Sequence, residues 1–225
     1  MSLLTPMLRS SPLTDWFSDA QRVQGMLDFE AALAQAQAAC GMVPTAAVGP
    51  IVAACRHEAI DFTALGEAAV GAGNLAIPLV KQLTAQVKAR DPDAARYVHW
   101  GATSQDAIDT GLVLQLRGAL EAAETLLEQL LAALAGQADR YRDAVMPGRT
   151  WMQHALPVTF GLKLAGTLDA LLRWQQRLRE MRPRLLVLQF GGAAGTLDAL
   201  KEKGPAVGQA LAQNLGLTLP TICSV

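Results

Sequence analysis

The stretch DTGLVLQLRGALEAAETLLEQLLAAL, residues 109–134, decides the fold class. Val113, Leu116, Leu120, Ala123, Leu127, Leu130 and Leu134 follow one another in steps of 3, 4, 3, 4, 3 and 4. That is the heptad spacing of a helix whose apolar seam packs on other helices. A helix of about thirty residues beginning at Asp109 would be ~45 Å long. The stretch "VMPGRTWMQHALPVTFG" (145–161) follows, and a second long helix is predicted after it, with Leu164, Leu168, Leu171 and Leu178 on one stripe. Its start is placed near Thr150, and Pro157 is read into its first turns, where a missing N–H costs little. Two long antiparallel helices joined through a polar turn make half of a bundle and cannot bury their seams on each other alone.

Upstream of this pair the chain also reads as helix. Asp19 opens a run to Cys40 that is closed by Gly41 and Pro44, a second helix covers Thr45 to Glu58, and a third begins near Asp61. "GAGN" (71–74) interrupts the pattern before "LAIPLVKQLTAQVKA", and "RDPDAARYVHWGATSQD" is a turn-rich linker without helical period. No strand pair with hairpin signals is evident. The expected architecture is all-α: an N-terminal helical domain (1–108) followed by the first long helices of a central helical bundle (109–225).

Composition narrows the function classes. With 225 residues and a formal charge of −1, no global field attracts nucleic acid or an anionic membrane. The 51% hydrophobic content, mostly Ala and Leu, suits helices with wider apolar faces than one core needs, so a homo-oligomer is expected. No apolar run approaches the ~18 residues of a membrane span. The N-terminal stretch "MSLLTPMLRSSPLTDWF" lacks the charged and apolar regions of a signal peptide. Cys40, Cys55 and Cys223 have neither metal-ligand spacing nor an even count, which points to reduced thiols and a cytoplasmic setting. No metal-ligand cluster or cofactor motif supports metal or cofactor chemistry. "QFGGAAGTL" (189–197) lacks the Lys-Ser/Thr and strand–helix setting of a phosphate loop.

Chemistry is better served by three polar spots. Thr103 and Ser104 of "GATSQD" precede the long helix. Their hydroxyls suit capping of its first turn or, with the free amides there, holding a carboxylate. Arg149, Thr150, Gln153 and His154 surround Trp151 with groups that suit an anion, although Thr150 and Gln153 also have capping-box spacing. Asn74 is either a turn former or a ligand contact. His99 reads as a hydrogen-bonded structural histidine.

Taken together, "VHWGATSQDAIDTGLVLQLR", "GRTWMQHALPVTFGLKLAG", "LVLQFGGAAGTL", "AGNLAIPLVKQL" and "VQGMLDFEAALAQAQ" resemble the fumarase/aspartase superfamily, and most closely its lactone-forming branch. The resemblance implies a cofactor-free enzyme and a homotetramer built around a central helical bundle, with three subunits at each active site. It implies an enolate-like intermediate next to a carboxylate, stabilised by donors placed where negative charge develops. Thr103 and Ser104 match the family's carboxylate-binding pair, Thr150 and Gln153 match polar residues of its second region, and Asn74 falls at a substrate-contacting position. With Arg149 these form the expected binding set for a small anionic tricarboxylate. Trp151 and His154 are the expected catalytic contacts. Amine-eliminating relatives of the adenylosuccinate lyase type have histidine where Trp151 stands, and tryptophan has no proton to give at a useful pKa. That difference favours ring closure over elimination. After "LTLP" the sequence ends in "TICSV", without the family's Ser-Ser-x-Met-Pro-x-Lys-x-Asn loop and its serine base. The chain is therefore expected to carry the N-terminal half of such an enzyme and to be inactive alone. The alternatives are an adenylosuccinate lyase-like enzyme and a non-catalytic helical association module.

Overall fold

The computed structural model describes residues 11–222. Cys223 of the sequence reading lies outside them. Helices α1 (Asp19–Ala39), α2 (Thr45–Ala54), α3 (Phe62–Ala72), α4 (Ala76–Arg90), α5 (Ser104–Arg140), α6 (Phe160–Leu185) and α7 (Gly204–Leu215) account for most of the chain. A two-stranded antiparallel sheet of β1 (Val145–Thr150) and β2 (Gln153–Thr159) separates α5 from α6. The all-α class is confirmed. The helix expected from Thr150 is corrected, because residues 145–159 form a hairpin and α6 begins only at Phe160.

Local chemistry sets the other boundaries. The Ser18 side chain, rather than Asp19, accepts from the Gln21 amide to cap α1, and Asp61 accepts from Ala64 to cap α3. Gly73 ends α3 in the left-handed conformation at φ 76°, which a Cβ would strain. The helix expected over Thr45–Glu58 stops at Ala54, and a short 3-10 turn covers His57–Ala59. The long helix starts five residues earlier than expected, at Ser104, and its 37 residues span ~55 Å.

The described residues fall into two compact units, 11–118 with 183–222 and 119–182. The first holds the principal core. Phe29, Met26, Leu27 and Leu33 of α1 are buried together with Ile51 of α2, Leu65 of α3, Leu79 and Leu83 of α4, Phe190 and Leu211. The Phe29 and Phe190 rings are 6.3 Å apart and tilted by 57°, a favourable aromatic arrangement. Burial, helped by the charges of Glu30 and Asp28, pushes the Cys55 thiol far up, so it stays an inert neutral group. Helices α1 and α5 cross backbone to backbone. A Cβ on Gly25 would lie 2.6 Å from the Gly111 carbonyl oxygen, and one on Gly111 would lie 2.9 Å from the Met26 nitrogen.

In the second unit the C-terminal part of α5 runs antiparallel to α6. Arg182 pairs with Glu121 and Glu124, and Arg179 with Glu128, the reversed order that an antiparallel pair requires. Gly161 allows the strand-to-helix junction to close. A Cβ there would meet the Ala138 carbonyl oxygen at 2.5 Å. The stripe Leu164, Leu168, Leu171 and Leu178 is only half-buried, as are Val113, Leu116, Leu120, Ala123, Leu127 and Leu134 of the heptad seam, while Leu130 is exposed. Leu126, Leu162, Leu172, Trp174 and Met181 are also exposed. The seams are real, and one copy of the chain leaves them largely uncovered.

The α1–α5 crossing makes a direct prediction. Gly25→Ala should cost about 1–3 kcal/mol through overpacking, lowering the melting temperature by roughly 2–4 °C per kcal/mol at this chain length. Thermal unfolding by circular dichroism checks it, and an unchanged midpoint contradicts the close approach.

Candidate active site

The sequence-predicted residues fall into two groups, one in each unit. Asn74, Thr103 and Ser104 belong to the first. Arg149, Thr150, Trp151, Gln153 and His154 belong to the second.

In the first group the organising residue is Asp106, which the sequence reading gave no role. Its carboxylate is fully buried. One oxygen accepts from the Gly191 amide at 2.9 Å, and the other accepts from Gly192 and Thr103, each at 3.0 Å. The Thr103 bond is half of a capping box, with the residue at the third helical position reaching back to the N-cap amide. Thr-x-x-Asp spacing at residues 103–106 is the signal that would have found it. The Gly191 and Gly192 bonds fasten the glycine-rich segment to the start of α5. Gly192 (φ 68°) and Gly101 (φ 74°) both adopt backbone that favours glycine, and a Cβ on Gly192 would lie 3.2 Å from the Gly101 carbonyl oxygen. The two segments border a cleft of about 440 Å³ lined by Gly101, Ala102, Gly192, Ala193, Thr196 and Asp198.

The Thr103 and Ser104 hydroxyls make no hydrogen bond to any described residue. The reading in which they cap the first turn is therefore corrected: the structure leaves them free at a helix N-terminus, where the dipole and unpaired amides favour an anion. Asn74 behaves as a turn former, its Oδ1 accepting from the Ile77 amide at 3.1 Å.

His99 is structural, as its setting suggested. Its Nδ1 lies 2.6 Å from Glu30 Oε1, and the Glu30 side chain is 1% exposed. Next to it, Gln37 donates to the Trp100 carbonyl at 2.6 Å. Burial opposes the imidazolium charge, but the hydrogen bond and charge of Glu30, with Asp106 further off, outweigh it and raise the His99 pKa.

In the second group the hairpin changes every neighbour relation. Thr150 pairs with Gln153 and Arg149 with His154, so Thr150 and Gln153 share one face and Arg149 and His154 the other. The capping box read into Thr150 and Gln153 does not form. Between Arg149–His154 and Pro147–Pro157, β2 advances three residues against two of β1, a bulge opposite Gly148. A Cβ on Gly148 would sit 2.7 Å from the Leu156 carbonyl oxygen. Trp151 and Met152 form the two-residue turn, with φ of 48° and 61°. Positive φ at both positions is the type I′ requirement that Asn-Gly normally meets. Bulky residues there cost about 1–3 kcal/mol each, and such strain concentrates at functional sites. Trp151 is 95% exposed, at the very tip.

Among the described residues no group of three His, Cys, Asp or Glu side chains is placed to hold a metal, and no helix is long and apolar enough to cross a membrane.

The family described as Lyase matches residues 8–224. The chain belongs to this lyase family, the fumarase/aspartase superfamily. Among curated members it is 62% identical over 211 residues to the 3-carboxy-cis,cis-muconate cycloisomerase of Pseudomonas aeruginosa, covering 94% of this chain and 46% of that one. It is 54% identical to the enzyme of the same name from Bradyrhizobium diazoefficiens, covering 97% and 48%. Among solved lyase structures, the 3-carboxy-cis,cis-muconate lactonizing enzyme from Pseudomonas putida superposes with a TM-score of 0.96 at 55% identity, covering 99% of this chain and 51% of that one. The chain thus spans about half the length of the family members it matches.

The His99–Glu30 pair predicts a pH dependence. A histidine whose folded pKa is raised contributes stability that is complete below its unfolded value, near 6.5, and lost as pH climbs through the folded value. Melting temperature should therefore fall with rising pH above about 6.5, and His99→Gln should flatten that slope. Equal slopes in both proteins contradict the pairing.

Proposed function

We propose that this chain carries the carboxylate-binding part and the hairpin wall of a cofactor-free cycloisomerase acting on 3-carboxy-cis,cis-muconate. In that reaction an oxygen of one substrate carboxylate attacks a carbon of the conjugated double bond. The displaced π electrons move onto the carbon next to a second carboxylate as an enolate-like dianion, and a proton added there completes the lactone. The free Thr103 and Ser104 hydroxyls at the start of α5 hold a carboxylate. Thr150 and Gln153, which share one hairpin face, supply donors where charge develops, and Arg149 and His154 offer donors on the opposite face. Trp151 shapes the pocket around the closing ring, and His154, paired with Arg149 on the hairpin, is a group able to take part in proton movement. Asn74, whose Oδ1 is occupied by Ile77, retains its NH2 for substrate.

The observation that carries this reading is Trp151, a large aromatic held fully exposed at a strained hairpin tip. Nothing in the second unit rewards that arrangement with packing. The exposed seams of α5 and α6 support a homotetramer in which other copies cover them and bring their own residues to each site.

The test is a fusion of residues 1–220 to the remaining half of the Pseudomonas aeruginosa protein. The fusion should consume 3-carboxy-cis,cis-muconate, followed by loss of its ultraviolet absorbance, whereas the 225-residue chain alone should form no lactone. Trp151→His in the fusion should reduce turnover by about tenfold or more, a loss of ~1.4 kcal/mol of transition-state stabilisation or greater, with the oligomer intact by light scattering. An inactive, well-folded fusion overturns the substrate assignment, and full activity of Trp151→His reduces the tryptophan to packing.

A further inference from the structure

A second cavity lies at the base of the hairpin, away from its tip. It has a volume of about 320 Å³, and Met146, Pro147, Arg149, Val158, Leu162 and Lys163 are among the residues that line it. Two features set it apart. Arg149 and Lys163 both line it, and neither forms an ion pair with any described residue. Of the other arginines in the second unit, Arg142, Arg173, Arg179 and Arg182 pair with acidic residues of the same unit, and Arg140 and Arg177 lie over the rings of Tyr141 and Trp174. The β2 bulge opposite Gly148 also shifts the pairing register between Pro147 and Arg149, two of the residues at the cavity.

We propose that this cavity binds one carboxylate of a small organic polyacid between Arg149 and Lys163. The proposal deepens the reading of the chain as part of a carboxymuconate cycloisomerase and rests on it for the substrate class. A guanidinium offers a planar, two-pronged contact to a carboxylate, and an ammonium adds a point charge beside it. The apolar walls from Met146, Val158 and Leu162 suit a carbon skeleton better than an inorganic ion. Lys163 is the new residue: it stands in the first turn of α6 and joins the anion-binding set beside Arg149, independently of Thr103 and Ser104 in the other unit.

The probe is tricarballylate, a saturated tricarboxylate, titrated calorimetrically into the 225-residue chain at low salt. Binding is expected to weaken by about tenfold or more in Lys163→Gln and in Arg149→Gln, to be restored substantially by Lys163→Arg, and to weaken as salt is added. It should persist in a Thr103→Ala/Ser104→Ala chain. Both cations are exposed, so circular dichroism should find each variant folded like the parent. Unchanged affinity in Lys163→Gln overturns the proposal, and so does inorganic phosphate binding as tightly as tricarballylate or no tricarballylate binding by the parent chain. The outcome is separable from that of the fusion assay. Lys163-dependent binding alongside an inactive fusion removes the lactonisation reading and leaves the carboxylate site. An active fusion with Lys163-independent binding does the reverse.

Discussion

The carboxylate of Asp106 is the constraint on which the first unit's site depends. It is an anion taken wholly out of water, and its cost is met by three backbone amides. Hydrogen bonds to a charged group contribute about 1.5–3 kcal/mol each, so the cluster is strong enough to dictate the path of two segments. It fixes where α5 starts and holds the Gly191–Gly192 turn against it. Beside it, the hydroxyls of Thr103 and Ser104 make no hydrogen bond to any described residue. A helix start that would ordinarily consume its own serine or threonine instead leaves both half-buried and without a side-chain partner among the described residues.

How much of this was legible in the sequence follows from which interactions are local. The heptad steps of residues 113–134 and the stop at Gly73 are encoded by nearest neighbours, and they emerged as read. The Asp106 network joins residues some 85 positions apart, and only its short arm, the Thr103–Asp106 spacing, leaves a trace in the sequence. The same holds for His99, whose buried partner Glu30 lies on α1.

The hairpin was misread for a different reason. Its turn is Trp-Met, without the Asn or Gly that marks a type I′ turn, and Thr150 and Gln153 happen to be spaced like a capping box. Pro157 suits a helical first turn equally well, yet it pairs across from Pro147 in a two-stranded sheet where a missing donor is easily tolerated. Local rules fail here because the turn's residues were not chosen for the turn. Two bulky side chains sit at positive φ, and that departure points to a purpose outside the fold. The uncovered seams of α5 and α6 likewise have no explanation within one copy of the chain.

The division of labour at the start of α5 can be tested most directly by comparing two variants in one thermal-unfolding experiment. Thr103→Ala/Ser104→Ala should leave the melting temperature almost unchanged, within about 0.5 kcal/mol of the parent. Asp106→Asn should lower it by several degrees, since charged hydrogen bonds of about 1.5–3 kcal/mol each are weakened or lost. If instead the double hydroxyl variant is destabilised as much as Asp106→Asn, the hydroxyls are structural caps, and the account of a free carboxylate-binding pair is wrong.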